Sequence, residues 1–310
     1  MSKIMVVGSL IVDIAAYTPH FPVKGETTLG KRLQFGPGGK GNNQATAAAR
    51  VGGEVYMISK TGKDFLQGIM TEHYKNEGMT TQYIYVDEES GTGSAIIEID
   101  DTGANRIVVI KGANEKLTAA EVDKAESDFE TSDILIMQLE ASMESILEGK
   151  KLAIKYGKPI ILNPAPFQSI PTGLFADIDY LTPNETEAEF FTGIPVATED
   201  DAAKAAEKLH EMGVKNVVIT LGKRGVFFSD GKKKLLVPTT DLKPVDTTGA
   251  GDAFNGGLAV AIAEGMEMET ALKFANCVAS ISVTRNGSAP SMPNRKEAEE
   301  LLERYYHIKL

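Results

Sequence analysis

A short stretch near the C-terminal end, VDTTGAGDAFNGG (residues 245–257), holds a carboxylate where the chain has almost no side chains. Asp252 directly follows three small residues: Gly249, Ala250 and Gly251. The small and apolar run after it predicts a buried helix, so the backbone N–H groups of this tripeptide would lie at a helix N-terminus and favour an anion. Beside a bound phosphate, a carboxylate is useful as the acceptor of a proton from an attacking hydroxyl. The alternative is that Asp252 only caps its own helix.

A second stretch, FGPGGKGNNQATAAARVGG (residues 35–53), is rich in glycine. It contains the G-x-G-x-x-G spacing, but no buried strand precedes it and the next strand ends in lysine, which disfavours a dinucleotide site. Gly39 and Lys40 are followed by glycine and not by serine or threonine, which excludes a P-loop. What remains is a bare backbone that enters a helix capped by Asn42 or Asn43 and suits a small polar ligand. A tight turn without a ligand explains the glycines equally well.

The elements that would position these residues alternate along the chain. Six apolar runs predict strands buried on both faces: IMVVGSL, VYMISKT, ILIMQL, PIILN, DYLT and NVVITLG. Between them lie segments of helical periodicity that end at a glycine, such as MESILEGKKLAIKYG and EDDAAKAAEKLHEMG. This alternation predicts an α/β fold with a doubly wound, mostly parallel sheet and helices on both faces. We expect a single domain over residues 1–310.

Two segments interrupt this alternation. Residues 21–35 and 93–111 read as alternating strands, and in the second segment GSAIIEID and NRIVVIKG are joined by a short polar turn. We expect a small second sheet built from insertions at about residues 14–37 and 92–112. It would form a lid over the strand ends, where open α/β sheets bind ligands. A surface hairpin without a role is the alternative.

The composition excludes several classes of partner. Acidic residues outnumber basic ones 43 to 32 and the net charge of −11 is spread along the chain, so no basic stripe is available for nucleic acid. No apolar run reaches the roughly 20 residues of a membrane-spanning helix. The single cysteine, Cys277, cannot form an internal disulfide, and the N-terminal residues lack a signal-peptide pattern. We expect a cytoplasmic protein without a nucleic acid or membrane partner.

Taken together, the two glycine-rich motifs resemble the paired signatures of the ribokinase family of carbohydrate kinases. The resemblance covers essentially the whole chain and rests on GGKGNNQA (38–45), NPAP (163–166), TPNETEAE (182–189), ITLG (219–222) and DTTGAGDAF (246–254). It implies the fold predicted above, with a small β lid that also forms a dimer contact. It also implies an ATP-dependent kinase that uses Mg²⁺ and an activating monovalent cation, K⁺.

The resemblance further implies a role for each matching residue. Asp252 matches the catalytic base, and the backbone of Gly249, Ala250 and Gly251 matches the anion hole for the transferred phosphoryl group. Sugar contacts are implied for Asp13, Gly39, Lys40, Asn43 and Glu140. Asn184 and Glu187 match residues that hold Mg²⁺ near the phosphates, and nucleotide contacts are implied for Thr220, Gly222, Gly251 and Asn276. The monovalent cation site matches Asp246, Thr248, Ser282, Arg285, Gly287 and Ser291.

One position departs from the family pattern. Ile11, two residues before Asp13, stands where many members have an asparagine that reaches a sugar hydroxyl. Because an unpaired buried hydroxyl costs about 1–3 kcal/mol, a sugar that lacks one hydroxyl becomes a candidate substrate. The alternative is that Ile11 packs beneath a ribose held by Asp13.

We therefore predict an enzyme that transfers the γ-phosphoryl group of Mg-ATP to the 5-hydroxyl of D-ribose. The alternatives within the same fold are a kinase for 2-deoxy-D-ribose, for another sugar or for a nucleoside. From a different class, the chain could be a sugar-sensing binding protein without turnover, against which the intact Asp252 argues. The predicted partners are the sugar, ATP and a second copy of the chain, in a homodimer formed through the lid.

Overall fold

The computed structural model describes every residue from Met1 to Leu310 and contains thirteen strands and ten α-helices. In chain order the strands are β1 (Lys3–Val7), β2 (Ile11–Tyr17), β3 (Arg32–Gly38), β4 (Glu54–Gly62), β5 (Thr80–Asp87), β6 (Gly93–Ile99), β7 (Asn105–Ile110), β8 (Ile134–Met137), β9 (Ile160–Leu162), β10 (Tyr180–Leu181), β11 (Asn216–Thr220), β12 (Val226–Ser229) and β13 (Lys234–Val237). The helices are α1 (Lys40–Arg50), α2 (Phe65–Asn76), α3 (Ala119–Asp123), α4 (Glu126–Thr131), α5 (Met143–Lys155), α6 (Glu185–Thr192), α7 (Glu199–Glu211), α8 (Ala250–Ala263), α9 (Met268–Ser282) and α10 (Arg295–Tyr306).

Nine strands form the larger sheet, in the order β13-β12-β11-β10-β9-β8-β1-β4-β5. All neighbours are parallel except at one edge, where β12 runs antiparallel to both β11 and β13. Alternate residues of β1 enter different cores: Ile4 and Val6 pack on one face, and Met5 and Val7 on the other. Helices α1, α8 and α9 cover the first face and α5 and α7 the second. Burial on both faces explains the continuous apolar runs in the sequence.

The smaller sheet has four strands in the order β3-β2-β6-β7. β2 pairs in parallel with β6, whereas the β2–β3 and β6–β7 pairs are antiparallel. β2 follows β1 after residues 8–10 only, so the smaller sheet begins at the carboxyl end of a strand in the middle of the larger one. The outer strand β7 is exposed along its whole length although its sequence, NRIVVI, is largely apolar.

The predicted fold class is confirmed, and all six predicted strands are present as β1, β4, β8, β9, β10 and β11. Three strands at and near the edges of the larger sheet were missed: β5 and β13, which contain exposed polar residues, and β12, a buried run of four residues. The first strand pair of the smaller sheet is β2 and β3, and residues 21–31, which include a proline and two glycines, form no strand. The predicted cap of α1 was wrong, because the helix begins at Lys40 with Gly39 as its N-cap.

Two further features bear on the surface and the interior. None of the helices has both the length and the apolar character needed to cross a membrane. Cys277 is fully buried in α9, and burial raises the pKa of its thiol to about 12. The thiol is therefore protonated at neutral pH and a poor nucleophile.

Candidate active site

Eight of the predicted site residues meet at the carboxyl ends of the central strands, where helices α1 and α8 also begin. The pocket there is lined by Lys40, Asn163, Ala165, Thr182, Asn184, Glu187, Thr220, Thr247, Gly249, Ala250, Gly251, Asp252 and Asn255. Each of the five sequence motifs contributes to this lining. The fold thus joins segments that are far apart in the chain, as expected for the ligand site of an open α/β sheet.

Asp252 lies in the first turn of α8 with only 5% of its surface exposed. Its carboxylate accepts hydrogen bonds from the side-chain amides of Asn43 and Gln44, each at 2.9 Å. No backbone N–H of α8 donates to this carboxylate, so the alternative that Asp252 caps its own helix is wrong. Two amides from α1 instead hold the carboxylate in one orientation at the pocket wall.

Lys40 is the cation that acts on the Asp252 carboxylate, and it also interacts with the charges of Glu140 and Glu187. Burial raises the pKa of Asp252, while the charge of Lys40 and the two amide hydrogen bonds oppose the shift. Burial alone would lower the pKa of Lys40, but the carboxylates of Asp252, Glu140 and Glu187 outweigh it and raise that pKa. Lys40 therefore stays cationic at neutral pH, and Asp252 is a better proton acceptor than a free aspartate.

Helix α8 begins at Gly249, which holds a left-handed φ of 76°. The N–H groups of Gly249 and Gly251 have no acceptor within the chain, whereas that of Ala250 donates to the Thr247 carbonyl at 3.2 Å. A Cβ at Gly251 would meet no other atom within 4 Å, so the approach to this helix end is open. The N–H groups of Gly249 and Gly251 are therefore free donors for an anion, next to the buried carboxylate.

Two further carboxylates, Asp13 on β2 and Glu140 after β8, lie beside the glycine-rich loop. Glu140 accepts a hydrogen bond from the backbone N–H of Lys40 at 2.8 Å. A Cβ on Gly38 would lie 2.4 Å from an oxygen of Asp13, so the loop passes directly over that carboxylate. Burial raises the pKa of Asp13 to about 6, a hydrogen bond from Ser288 opposes the shift, and the charge of Glu140 adds to it.

Ile11 lies under the same loop. It is 2% exposed, yet it belongs to neither hydrophobic core. It pairs with Gly38 across the strands, and a Cβ on Gly39 would lie 3.1 Å from the Ile11 Cβ. Gly39 has a φ of 88°, so this position needs glycine for its conformation as well as for the close contact. Ile11 therefore packs against the loop that carries the predicted sugar contacts.

Asn184 and Glu187 sit together at the start of α6. The Asn184 side chain accepts from the Glu187 N–H at 2.8 Å, and the Glu187 carboxylate accepts from the Asn184 N–H at 2.9 Å. Burial raises the pKa of Glu187, while the Asn184 N–H and the charge of Lys40 oppose the shift. The second oxygen of Glu187 accepts no hydrogen bond, and nowhere in the chain do three or more His, Cys, Asp or Glu side chains form a metal cluster.

The residues predicted to contact the nucleotide lie at different depths. Thr220 ends β11 on the pocket wall, and Gly222 opens a 3-10 turn just beyond it. Asn276 is not on the wall: it is buried in α9, and its amide donates to the Pro238 carbonyl at 3.3 Å and to the Tyr306 hydroxyl at 3.4 Å. Asn276 therefore supports the chain at Pro238.

Of the six residues predicted for the monovalent cation, Asp246 and Thr248 lie in the loop before α8, Ser282 ends α9, and Arg285, Gly287 and Ser291 lie in the loop after α9. The Asp246 carboxylate joins the loops, because it accepts from the N–H groups of Thr248 and Gly287, both at 2.9 Å. The carbonyl oxygens of Asp246, Thr248, Arg285 and Gly287 accept no hydrogen bond within the chain. Ser282 and Ser291 are buried behind them, and the Arg285 guanidinium pairs with Glu297.

Seven residues of the site were not predicted: Gln44, Asn163, Ala165, Thr182, Thr247, Asn255 and Ser288. Gln44 joins Asp252 to Asn163, to whose side chain it donates at 3.1 Å. Gln44 and Asn163 stand inside the motifs GGKGNNQA and NPAP, so the motifs carried a signal for them. The Ser288 hydroxyl donates to Asp13 at 3.3 Å. The two residues are 275 positions apart in the chain, so no local sequence pattern indicates this contact.

The chain is similar to known proteins in both sequence and fold. Residues 1–295 match the pfkB family carbohydrate kinase. The chain is 41% identical to a ribokinase of Haemophilus influenzae, over 96% of this chain and 97% of that protein. It is 34% identical to a deoxyribokinase of Salmonella typhi, over 96% of this chain and 98% of that protein. The structure of Arabidopsis thaliana ribokinase complexed with ribose and ATP superposes with a TM-score of 0.91 at 33% identity, covering 98% of this chain and 99% of that one.

This chain belongs to the pfkB family of carbohydrate kinases, and the family resemblance predicted from its motifs is confirmed. The fold and the site therefore belong to an enzyme that phosphorylates a carbohydrate.

Proposed function

We propose that this chain is an ATP-dependent ribose kinase that transfers the γ-phosphoryl group of ATP to the 5-hydroxyl of D-ribose. The observation that carries the proposal is the buried Asp252 carboxylate, held by two amides beside a helix N-terminus with free N–H donors. A proton acceptor next to an anion site is what phosphoryl transfer to a hydroxyl requires. The ribokinase at 41% identity supports ribose as the acceptor.

In this mechanism Asp252 accepts the proton of the 5-hydroxyl as that oxygen attacks the γ-phosphorus. The new P–O bond forms in line with the breaking bond to the oxygen that bridges the β and γ phosphorus atoms, and ADP leaves. Asn43 and Gln44 hold the carboxylate in place, so it needs no reorientation during the transfer. The raised pKa of Asp252 increases its affinity for the proton.

The charge on the transferred group would be stabilised by the helix end and by Lys40. The free N–H groups of Gly249 and Gly251 supply donors that are already oriented. Ala250 completes this anion hole when its N–H exchanges the Thr247 carbonyl for a phosphate oxygen. The Lys40 cation lies among three carboxylates and adds the positive charge that the γ-phosphoryl group needs.

The sugar is proposed to lie between the larger sheet and the smaller one, which acts as the lid. Its hydroxyls would bind the carboxylates of Asp13 and Glu140, the loop at Gly39 and Lys40, and the amide of Asn43. The side-chain oxygen of Asn43 is buried and has no hydrogen-bond partner within the chain, so it is a free acceptor for a sugar hydroxyl. Closure of the lid would exclude water, which otherwise competes as phosphoryl acceptor.

Asn184 and Glu187 fit a Mg²⁺ ion held mainly by water and phosphate oxygens. The chain supplies one carboxylate with a free oxygen at this point of the pocket. That donor set suits Mg²⁺, which is commonly bound through one or two carboxylates, substrate phosphates and its own water molecules. When bound, the ion would neutralise negative charge on the ATP phosphates.

The two loops joined by Asp246 fit an activating monovalent cation, K⁺. Four backbone carbonyl oxygens there are free of hydrogen bonds, and uncharged oxygens of this kind suit a large monovalent ion. The same loops abut the helix end that binds the phosphoryl group, since a Cβ on Gly249 would lie 3.2 Å from Ser288 Cα. We therefore assign the cation the task of fixing the loop before α8.

The nucleotide is proposed to extend from the helix end past Thr220 and Gly222. Asn276 would act on the adenine side through the Pro238 carbonyl, to which its amide donates. The use of ATP favours the cytoplasm as the place of the reaction.

We also propose a homodimer formed through the lid. The outer strand β7 exposes four consecutive apolar side chains by 46–63% of their surface: Ile107, Val108, Val109 and Ile110. An apolar strand at the edge of a sheet is a template for association, and a second copy of the chain would cover it.

A second candidate substrate is 2-deoxy-D-ribose, and Ile11 favours it. This buried side chain packs under the sugar loop outside both cores and offers no hydrogen bond to a sugar hydroxyl. The deoxyribokinase at 34% identity supports the same candidate.

The test is ADP release with Mg-ATP and K⁺ for D-ribose, 2-deoxy-D-ribose, D-fructose and adenosine, with kcat/KM measured for each. We expect ribose to lead by tenfold or more, which would make Ile11 a packing residue. A lead for 2-deoxyribose would make Ile11 the determinant of specificity and replace ribose as the substrate. Turnover of none of the four would refute the proposal and leave the sugar-sensing protein or another acceptor.

A further inference from the structure

Ser288 lies in the C-terminal loop between α9 and α10, and no motif marks it. It is 4% exposed, and its hydroxyl donates to Asp13 Oδ2 at 3.3 Å. This is the only hydrogen bond of the Asp13 side chain within the chain. Asp13 lies on β2 of the smaller sheet, whereas Ser288 belongs to the part of the chain that packs beside α8. The contact therefore joins the lid to the larger body at the sugar side of the pocket.

The backbone around Ser288 is held from two further directions. The N–H of its neighbour Gly287 donates to Asp246 at 2.9 Å, and the Ser288 carbonyl accepts from the hydroxyl of Ser291 at 2.7 Å. Its Cα lies 3.2 Å from the place where a Cβ on Gly249 would be, directly against the first residue of the α8 N-terminus. These contacts hold the backbone of Ser288 in place, so the position from which its hydroxyl donates is fixed.

We propose that Ser288 is a positioning residue for the sugar, which acts by holding the Asp13 carboxylate in the orientation that receives the sugar hydroxyls. The inference rests on the proposed function, because it assumes that Asp13 contacts the sugar. By donating to Oδ2, Ser288 leaves Oδ1 free and fixes the plane of the carboxylate. Without the hydroxyl, the carboxylate can rotate, and sugar binding must then restore its orientation at a cost in affinity.

A residue that positions Asp13 affects the binding of the sugar and not the phosphoryl transfer itself. Asp252 and the α8 N-terminus do not depend on the Ser288 hydroxyl, since neither accepts a hydrogen bond from it or donates one to it. A change at Ser288 should therefore act on KM for the sugar more than on kcat or on KM for ATP.

The experiment compares Ser288→Ala with wild type and with Ser132→Ala. Ser132 is also buried and its hydroxyl donates within its own helix end, to the Phe129 carbonyl at 2.9 Å. We expect Ser288→Ala to raise KM for ribose by about 3–10-fold, with kcat and KM for ATP within about twofold of wild type. Ser132→Ala should change none of the three. Calorimetric titration with ribose in the absence of ATP should show the same loss of affinity.

A double-mutant cycle tests whether Ser288 acts through Asp13. In an Asp13→Ala background, Ser288→Ala should lower kcat/KM by less than about twofold, because the group that it positions is already gone. Equal ribose affinity of wild type and Ser288→Ala, or additive losses in the cycle, would overturn the positioning role. Ribose binding without ribose turnover by the wild-type enzyme would instead refute the proposed function and leave the comparison at Ser288 valid.

Discussion

Among single residues, Asp252 is buried and holds two amide donors, and asparagine has nearly the same shape without the charge. We expect Asp252→Asn to lower kcat at least about 100-fold and to change KM for ribose by less than about threefold, because the amide cannot accept the proton. Steady-state ADP release measures both constants. Asp123→Asn, at an exposed position, is the control, and near-normal turnover by Asp252→Asn would exclude the proton-acceptor role.

The raised pKa of Asp13 predicts that sugar binding depends on pH. Burial raises its pKa to about 6, so the group is neutral below that pH and negatively charged above it. If the carboxylate binds the sugar hydroxyls, KM for ribose should be constant above pH 7 and rise as the pH falls through about 6. KM for ATP, measured over the same range, is the internal control. A KM for ribose that stays flat from pH 5 to 8 would contradict the assignment of Asp13 to the sugar.

Some residues of the site could be predicted from the sequence and others could not. Asp252 and its small neighbours were found because a carboxylate beside a bare helix start is chemically conspicuous. Asn42 and Asn43 were misread as caps, because local preference for the N-cap position is overridden when a tertiary partner is available: Asn43 binds Asp252 instead. Ser288 was not predicted because its partner, Asp13, is distant in the chain.

At the scale of elements, the site depends on how closely α1 approaches α8. A Cβ on Gly256 would lie 2.5 Å from Ala47 Cβ and 2.7 Å from the Gln44 carbonyl, so the two helices cross at a glycine. The approach is what brings Asn43 and Gln44 to Asp252, one turn earlier on α8.

Gly256→Ala should therefore damage stability and activity together. We expect a loss of about 1–3 kcal/mol from overpacking and a fall in kcat, since the helices must separate. Gly68→Ala in α2 is the matched control: a Cβ there meets nothing within 4 Å, so replacement of a helical glycine should stabilise by about 0.5–1 kcal/mol. Thermal unfolding and ADP release measure both effects. An unchanged melting temperature in Gly256→Ala would rule out the close crossing.

Elements differ in how well the sequence predicts them. Strands covered on both faces leave an unbroken apolar run, and six of them were predicted. The short strand β12 also contributes to both cores but was missed. Edge strands such as β5 are exposed on one side and mix polar with apolar residues, so they lack that signature. In the smaller sheet, β6 and β7 lie within the predicted segment 93–111. The first strand pair was shifted along the chain, because β2 follows β1 with almost no intervening turn signal.

At the scale of the whole molecule, the proposed dimer can be tested at β7. Ile107 and Val108 are adjacent and so point to opposite faces of the strand, with exposures of 51% and 63%. We expect Ile107→Asp combined with Val108→Asp to shift a dimer to monomer, because buried unpaired carboxylates at an interface are costly. Sedimentation velocity reports the change. Thr71→Asp with Asn76→Asp on exposed α2 is the control, and a lid variant that remains dimeric would place the interface elsewhere.

The buried thiol of α9 has a practical consequence for testing whether the proposed lid moves. Because Cys277 is the only cysteine and its thiol is protonated and shielded, the natural surface carries no reactive sulfur. A cysteine introduced at Ala104, in the exposed turn between β6 and β7, would be the sole site for a maleimide dye or a nitroxide. Such a label reports the lid from within an otherwise unmodified enzyme, so opening and closing could be followed by fluorescence or spin resonance while the sugar and the nucleotide are added in turn.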